Sequence, residues 1–121
     1  MQTRAFKMHL NPDQHDAYRR RHDGIWPDLV DALREAGIED YRIFLDAQTS
    51  TLFAVMHYHD DKPVDALPAL AIMQKWWAYM ADIMPSNADH SPISIPLIPV
   101  FALGSSANVN PDSSLVSSSN R

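Results

Sequence analysis

Apolar and polar residues alternate over residues 5–10, with Phe6, Met8 and Leu10 on one side and Lys7 and His9 on the other, which predicts a β-strand. Pro12 and Asp13 suit the first turn of a helix reaching about His22, with Asn11 where a cap is expected. Gly24 and Pro27 end it. A second helix starts near Pro27 and carries Leu29, Val30, Leu33 and Ala36 on one side, and Gly37 is placed to stop it. Alternation returns over 40–46, where Tyr41, Ile43 and Leu45 share a face, and again over about 52–59. The polar turn of Gln48, Thr49 and Ser50 between these runs predicts a hairpin. Residues 60–68 read as a loop or short helical turn. The longest helix is expected over about 69–84, with Ile72, Met73, Trp76, Trp77, Met80 and Met84 on the helical repeat and Pro85 ending it. A polar loop over 86–94 leads to a last strand over 95–103.

The order β-α(α)-β-β-α-β is that of an α+β, ferredoxin-like βαββαβ fold. Its helices cover one face of the sheet and leave the other bare. Pro96 and Pro99 place the last strand at an edge, because proline is tolerated there and not in a central strand. A bare apolar sheet face seldom stays exposed, so a homodimer packed face to face is expected. The single domain spans 1–103, and the serine-rich stretch over 104–121 reads as a flexible tail.

Charge narrows the range of partners. Ten Lys and Arg against fifteen Asp and Glu give a net charge of −5, which argues against nucleic-acid binding. Arg19, Arg20 and Arg21 form the only basic run, expected as a solvated face beside Asp13 and Asp16. No apolar run is long enough to span a bilayer, and the N-terminus lacks the apolar core of a secretory leader. The absence of cysteine excludes disulfides, thiol nucleophiles and Cys-based metal sites, and is compatible with the cytoplasm.

Chemistry centres on the stretch from Tyr18 to Pro27. Tyr18 and His22 lie four residues apart and project from one helix face, close to a break that carries Trp26. An imidazole there, beside a phenol and an indole, suits proton transfer on a small polar ligand, since an unperturbed histidine titrates at about 6.5. A histidine that only caps the last helical turn is the structural alternative. Trp76 and Trp77 diverge by about 100° around a helix, so both cannot point into one core layer. Either one packs while the other lines a pocket, both border a pocket suited to the apolar face of a sugar ring, or both simply fill core. Tyr41 is placed to reach the same cavity or to serve as a plain aromatic on a pleated face. His57 and His59 share a strand face, and His9 and His15 are also available, yet no metal-type spacing accompanies them and no metal is expected. Nucleotide-binding and hydrolase signatures are absent as well.

Three stretches carry a family resemblance: Arg20-Arg21-His22 with Ile25-Trp26-Pro27; Gln74-Lys75-Trp76-Trp77-Ala78-Tyr79-Met80 with residues 82–85; and Asn87-Ala88-Asp89-His90-Ser91-Pro92. In these stretches and their spacing the chain resembles the L-rhamnose mutarotase family, over about 5–103. The resemblance implies a small homodimer of the ferredoxin-like, dimeric α/β-barrel type that interconverts the α and β anomers of L-rhamnose without metal or organic cofactor. It implies His22 as the acid/base residue and Tyr18, Tyr41, Trp76 and Trp77 as sugar contacts. Gly24 and His90 depart from the residues most frequent in the family, and neither is a site position. The fold order is shared by dimeric α/β-barrel monooxygenases and haem-binding proteins, which stand as the alternative, together with a non-catalytic small-ligand-binding domain.

Overall fold

The computed structural model describes residues 1–104, together with the backbone of 108–109. The tail expected over 104–121 otherwise lies outside the described residues. Strand β1 (Gln2–His9) is followed by helices α1 (His15–Asp23) and α2 (Pro27–Glu35), the hairpin β2 (Ile38–Asp46) and β3 (Thr51–Tyr58), and the short helix α3 (Asp61–Ala66). A single 3₁₀ turn (Leu67–Ala69) leads into α4 (Ala71–Met80), and β4 (Ile95–Pro96) and β5 (Asn108–Val109) come last. The sheet order is β2-β3-β1-β4, with antiparallel neighbours throughout, as expected of a βαββαβ chain. Strand β5 adds a parallel pairing to Gln2 and Thr3 of β1.

Phe6 pairs with Ala54, which pairs in turn with Ile43, and Met8 pairs with Leu52, which pairs with Leu45, so the apolar positions of three strands share the helix side. The main core joins Met8, Leu52 and Ala54 of the sheet to Tyr18, Leu29, Trp76 and Met80 of the helices. A second cluster joins Ile38, Met56 and Tyr58 to Val64 and Leu67. A register shift at Glu39, between Ile38 and Asp40, connects the two. Ile38 and Tyr41 are three residues apart and would lie on opposite faces of a regular strand; the bulge lets both face the helices. Gly37 turns the chain into β2 at φ +91°, a conformation that any side chain would strain.

Three element boundaries differ from expectation, each for a backbone reason. Helix α1 starts at His15, not near Pro12, because Asp13 sits at φ 64°, outside the right-handed helical region. Helix α4 stops at Met80, four residues before Met84, because Pro85 clashes with the carbonyl four residues back and disfavours a helical Met84. The chain leaves instead through a tighter turn, in which the Ile83 N–H donates to the Met80 carbonyl at 3.1 Å. The last strand pairs as Ile95–Pro96 only, against Lys7 and Phe6, although the Leu97 N–H still donates to the Ala5 carbonyl at 2.9 Å. Pro96 and Pro99 have no N–H to extend that edge ladder.

Candidate functional site

Helix α1 carries the centre of the site. The His22 ring stacks at a tilt on Tyr18, with centroids 4.2 Å apart, and meets Trp76 of α4 edge-on at 5.3 Å. Its Nδ1 lies 3.1 Å from the Tyr18 main-chain oxygen. A carbonyl oxygen only accepts, so Nδ1 carries the proton and donates; in the neutral ring Nε2 is then the unprotonated nitrogen. Burial pushes the imidazole pKa below its ordinary value, against smaller upward effects of that hydrogen bond and of Asp23. At neutral pH His22 is therefore a neutral base with Nε2 as its basic atom.

Tyr18, His22, Tyr41, Trp76 and Trp77 all line one cavity between the sheet and the helices. Tyr18 is 8% exposed, and burial, reinforced by the nearby Tyr41, raises its phenol pKa. Tyr41 is placed on the helix side by the bulge and packs edge-on against Phe6 at 6.5 Å. Its ring is partly open to solvent, but burial of the hydroxyl pushes its pKa up to about 12. Both phenols therefore stay protonated at neutral pH, each with an O–H able to donate. Trp76 is 7% exposed and packs edge-on against Trp26 at 5.1 Å, while Trp77 is half-buried at the side of the same core. The divergence of the indoles thus gives one core-anchored wall and one outer wall.

Other expectations fall out differently. Arg19 and Arg20 are exposed, as a solvated face requires, but Arg21 is not: its guanidinium spans to Asp82 at 2.8 and 3.2 Å. His59 pairs with Glu39 at 2.8 Å, and His57 borders a groove on the opposite sheet face. His15 lies at the cavity and bonds Ser50 Oγ at 2.8 Å. Among the described residues no three His, Cys, Asp or Glu side chains gather as a metal-binding group. Asn87 and Ser91, in the polar loop over 86–94, also line the cavity. They sit in a tight loop closed by Asn87 N–H donating to the Ser91 carbonyl (2.8 Å) and Asn87 Nδ2 donating to Ser91 Oγ (3.0 Å). The cluster of Asn, Asp, Ser and Pro marks a turn in the sequence, but not that the turn rims a cavity.

The family model for L-rhamnose mutarotase matches residues 3–103. The chain belongs to the L-rhamnose mutarotase family. A relative from Paraburkholderia xenovorans, described as L-rhamnose mutarotase, is 53% identical over 105 residues, covering 87% of this chain and 98% of its own. One of the same description from Brucella anthropi is 57% identical over 97 residues, covering 80% and 92%. The crystal structure of an L-rhamnose mutarotase from Formosa agariphila superposes with a TM-score of 0.79 at 46% identity, covering 84% of this chain and 98% of that one. Membership agrees with the resemblance carried by the three sequence stretches, and the superposition extends it to the fold.

The depressed His22 pKa has a consequence for stability. Unfolded, the ring titrates near its ordinary value of about 6.5; folded, it titrates lower. Below about 6.5 the unfolded state binds more protons, so stability falls as pH drops through that window and rises as pH increases. Melting temperatures recorded between about pH 7.5 and 5 are expected to fall more steeply for the wild type than for His22→Ala. Parallel curves would mean that His22 titrates alike in both states.

Proposed function

We propose that the protein is an isomerase that interconverts the α and β anomers of L-rhamnose by acid–base ring opening and closure. Family membership supports the reaction. The observation that carries the residue assignment is the His22 Nδ1 contact to the Tyr18 carbonyl, which fixes the tautomer and leaves Nε2 as the base. In this reading Nε2 takes the proton of the anomeric hydroxyl as the bond from the anomeric carbon to the ring oxygen breaks, and the ring oxygen takes a proton from a water or from a phenol bound to the sugar, which regains it when the ring closes. The open aldehyde rotates and recloses with the opposite configuration, and the protons return. Tyr18 and Tyr41, kept protonated by burial, donate to sugar oxygens, and Trp76 and Trp77 offer flat walls to the apolar sugar face. Positioned acid–base groups contribute about 10²–10⁴-fold per proton transfer, which suits a reaction that already proceeds unaided in water. Neither a metal nor an organic cofactor enters this scheme.

The test is polarimetry on freshly dissolved α-L-rhamnose. The rotation should relax to its equilibrium value faster with protein than without, in proportion to protein concentration. Relaxation at the buffer rate would remove the reading. A monooxygenase or haem-binding role is disfavoured by the family match; a strong Soret band in the purified protein would restore it.

We propose further that the protein works as a homodimer in the cytoplasm. Phe44, Phe53, Val55 and Ala5 form an apolar patch on the sheet face away from the helices, and Phe44 is 58% exposed. Ile98 and Phe101, exposed beyond β4, add to the apolar surface. Apolar area of this kind on a small domain marks an association surface. Light scattering at micromolar concentration should give twice the chain mass, and Phe44→Glu should shift it toward the monomer. A monomeric wild type would contradict the proposal. The cytoplasmic placement is in keeping with a chain that has no cysteine.

A further inference from the structure

Arg21 is the one member of the basic run that turns away from solvent, and its side chain reaches Tyr79 in the last turn of α4 and Asp82 just beyond it. Its Nη1 donates to Asp82 Oδ1 at 2.8 Å and to the Tyr79 main-chain oxygen at 2.6 Å, and its Nη2 donates to Asp82 Oδ2 at 3.2 Å. The guanidinium carbon lies 4.6 Å from the centre of the Tyr79 ring. Because α4 ends at Met80, the Tyr79 carbonyl is among the last four of the helix, which have no partner within it. A cation at that end is also favoured by the helix dipole. Arg21 thus caps α4 from another helix, with the bidentate geometry that distinguishes a useful arginine pair from an ordinary surface ion pair.

The contacts continue into the site. Tyr79 packs on Trp76 at 5.7 Å and on Trp26 at 5.5 Å, Trp26 meets Trp76 at 5.1 Å, and Trp76 meets His22 at 5.3 Å. His22 is the residue after Arg21, so the chain from Arg21 through Tyr79 and Trp76 returns to its own neighbour as a closed ring. Helix α1 has nine residues, too few to hold its form without packing, so its last turn takes its place from contacts such as these.

We propose that Arg21, with Asp82, is a positioning residue that sets the distance between the His22 imidazole and the Trp76 wall and keeps water from the space between them. Without the fork, the last turn of α1 is free to draw away from α4 and His22 becomes more hydrated. The inference deepens the proposed acid–base role of His22 and rests on it for its effect on exchange, but not for its effect on the imidazole itself. The titratable and charged groups that share the cavity with the ring are His15, Asp16, Tyr18, Arg19 and Asp23 on α1, Arg4 from β1 and Tyr41 from β2, while α4 presents the uncharged Trp76.

The test uses Arg21→Lys, Arg21→Met and the milder Asp82→Asn, whose side chain is largely exposed. Three quantities are measured on each: the melting temperature, the His22 ring titration by NMR without sugar, and L-rhamnose anomer exchange at saturating sugar. Arg21→Met should move the His22 titration up toward the ordinary imidazole value and lower saturated exchange about tenfold, a moderate loss for a displaced catalytic group. Arg21→Lys keeps the charge without the fork and should restore little. Asp82→Asn should act in the same direction, and the double variant should be scarcely worse than Arg21→Met alone, because both break one interaction. A lower melting temperature with an unchanged His22 titration and unchanged exchange per folded molecule would overturn the proposal and leave a plain structural bridge. The two readings fail separately: a shifted titration with unaltered exchange removes the acid–base role of His22, while an unshifted titration removes the positioning role of Arg21. Should Arg21→Met not fold, the same outcomes are read from Asp82→Asn.

Discussion

His22→Ala is expected to remove most of the acceleration of anomer exchange, by about 10²–10⁴-fold, while the protein stays folded. The ring is half-buried at the end of α1, and among the described residues its hydrogen bond runs to its own helix, so its loss leaves no described core partner unsatisfied. Its packing is against Tyr18 and Trp76, both anchored by other contacts in the main core. The structural alternative predicts the reverse pattern. An imidazolium at a helix C-terminus is worth about 0.3–1 kcal/mol, so a merely capping histidine would lower the melting point and leave exchange per folded molecule intact. Burial works against that alternative, because it holds the ring neutral at the pH where a cap would need the charge.

Trp76→Ala carries the largest expected cost to stability. Trp76 is 7% exposed and lies among Trp26, His22 and Tyr79, and truncating a buried aromatic typically costs about 3–5 kcal/mol. That is a large part of the stability of an ordinary domain, so urea unfolding should show a much earlier midpoint. Sugar binding should weaken as well, since the wall opposite His22 is gone. Trp76→Phe keeps an aromatic face and should recover much of the stability. Trp77 is only half-buried, so Trp77→Ala should cost less stability and still weaken L-rhamnose binding in a calorimetric titration. Normal binding by both alanine variants would reduce the pair to plain core.

The sequence made the order of elements legible because strand alternation and helical repeat are local signals. The prolines at 96 and 99 also carried their meaning directly: β4 lies at the sheet edge. The pairing of Tyr18 with His22 follows from four-residue spacing alone, and the structure brings them to 4.2 Å. Other features depend on contacts far apart in the chain or on single backbone angles. Arg21 and Asp82 are sixty-one residues apart, and nothing in a three-arginine run says which member turns inward. The bulge at Glu39, which sends Tyr41 to the cavity side, has no glycine to mark it; a trace of it is that the alternation starts cleanly only after Glu39. The late start of α1 and the early end of α4 arise from Asp13 at positive φ and from the reach of Pro85 back along its helix, and at α4 the apolar periodicity runs on past the last helical residue. Asn87 and Ser91 were legible as a turn and not as a cavity rim, because their position depends on how the loop packs back on the sheet.

Saturation-transfer NMR on L-rhamnose at anomeric equilibrium tests the central claim most directly. Saturating the anomeric proton of one form and observing the other reports exchange without any coupled enzyme. The account predicts transfer that grows with wild-type protein at catalytic concentration and falls back nearly to the buffer level with folded His22→Ala. Transfer no greater than in buffer for the wild type, or undiminished in His22→Ala, would contradict it.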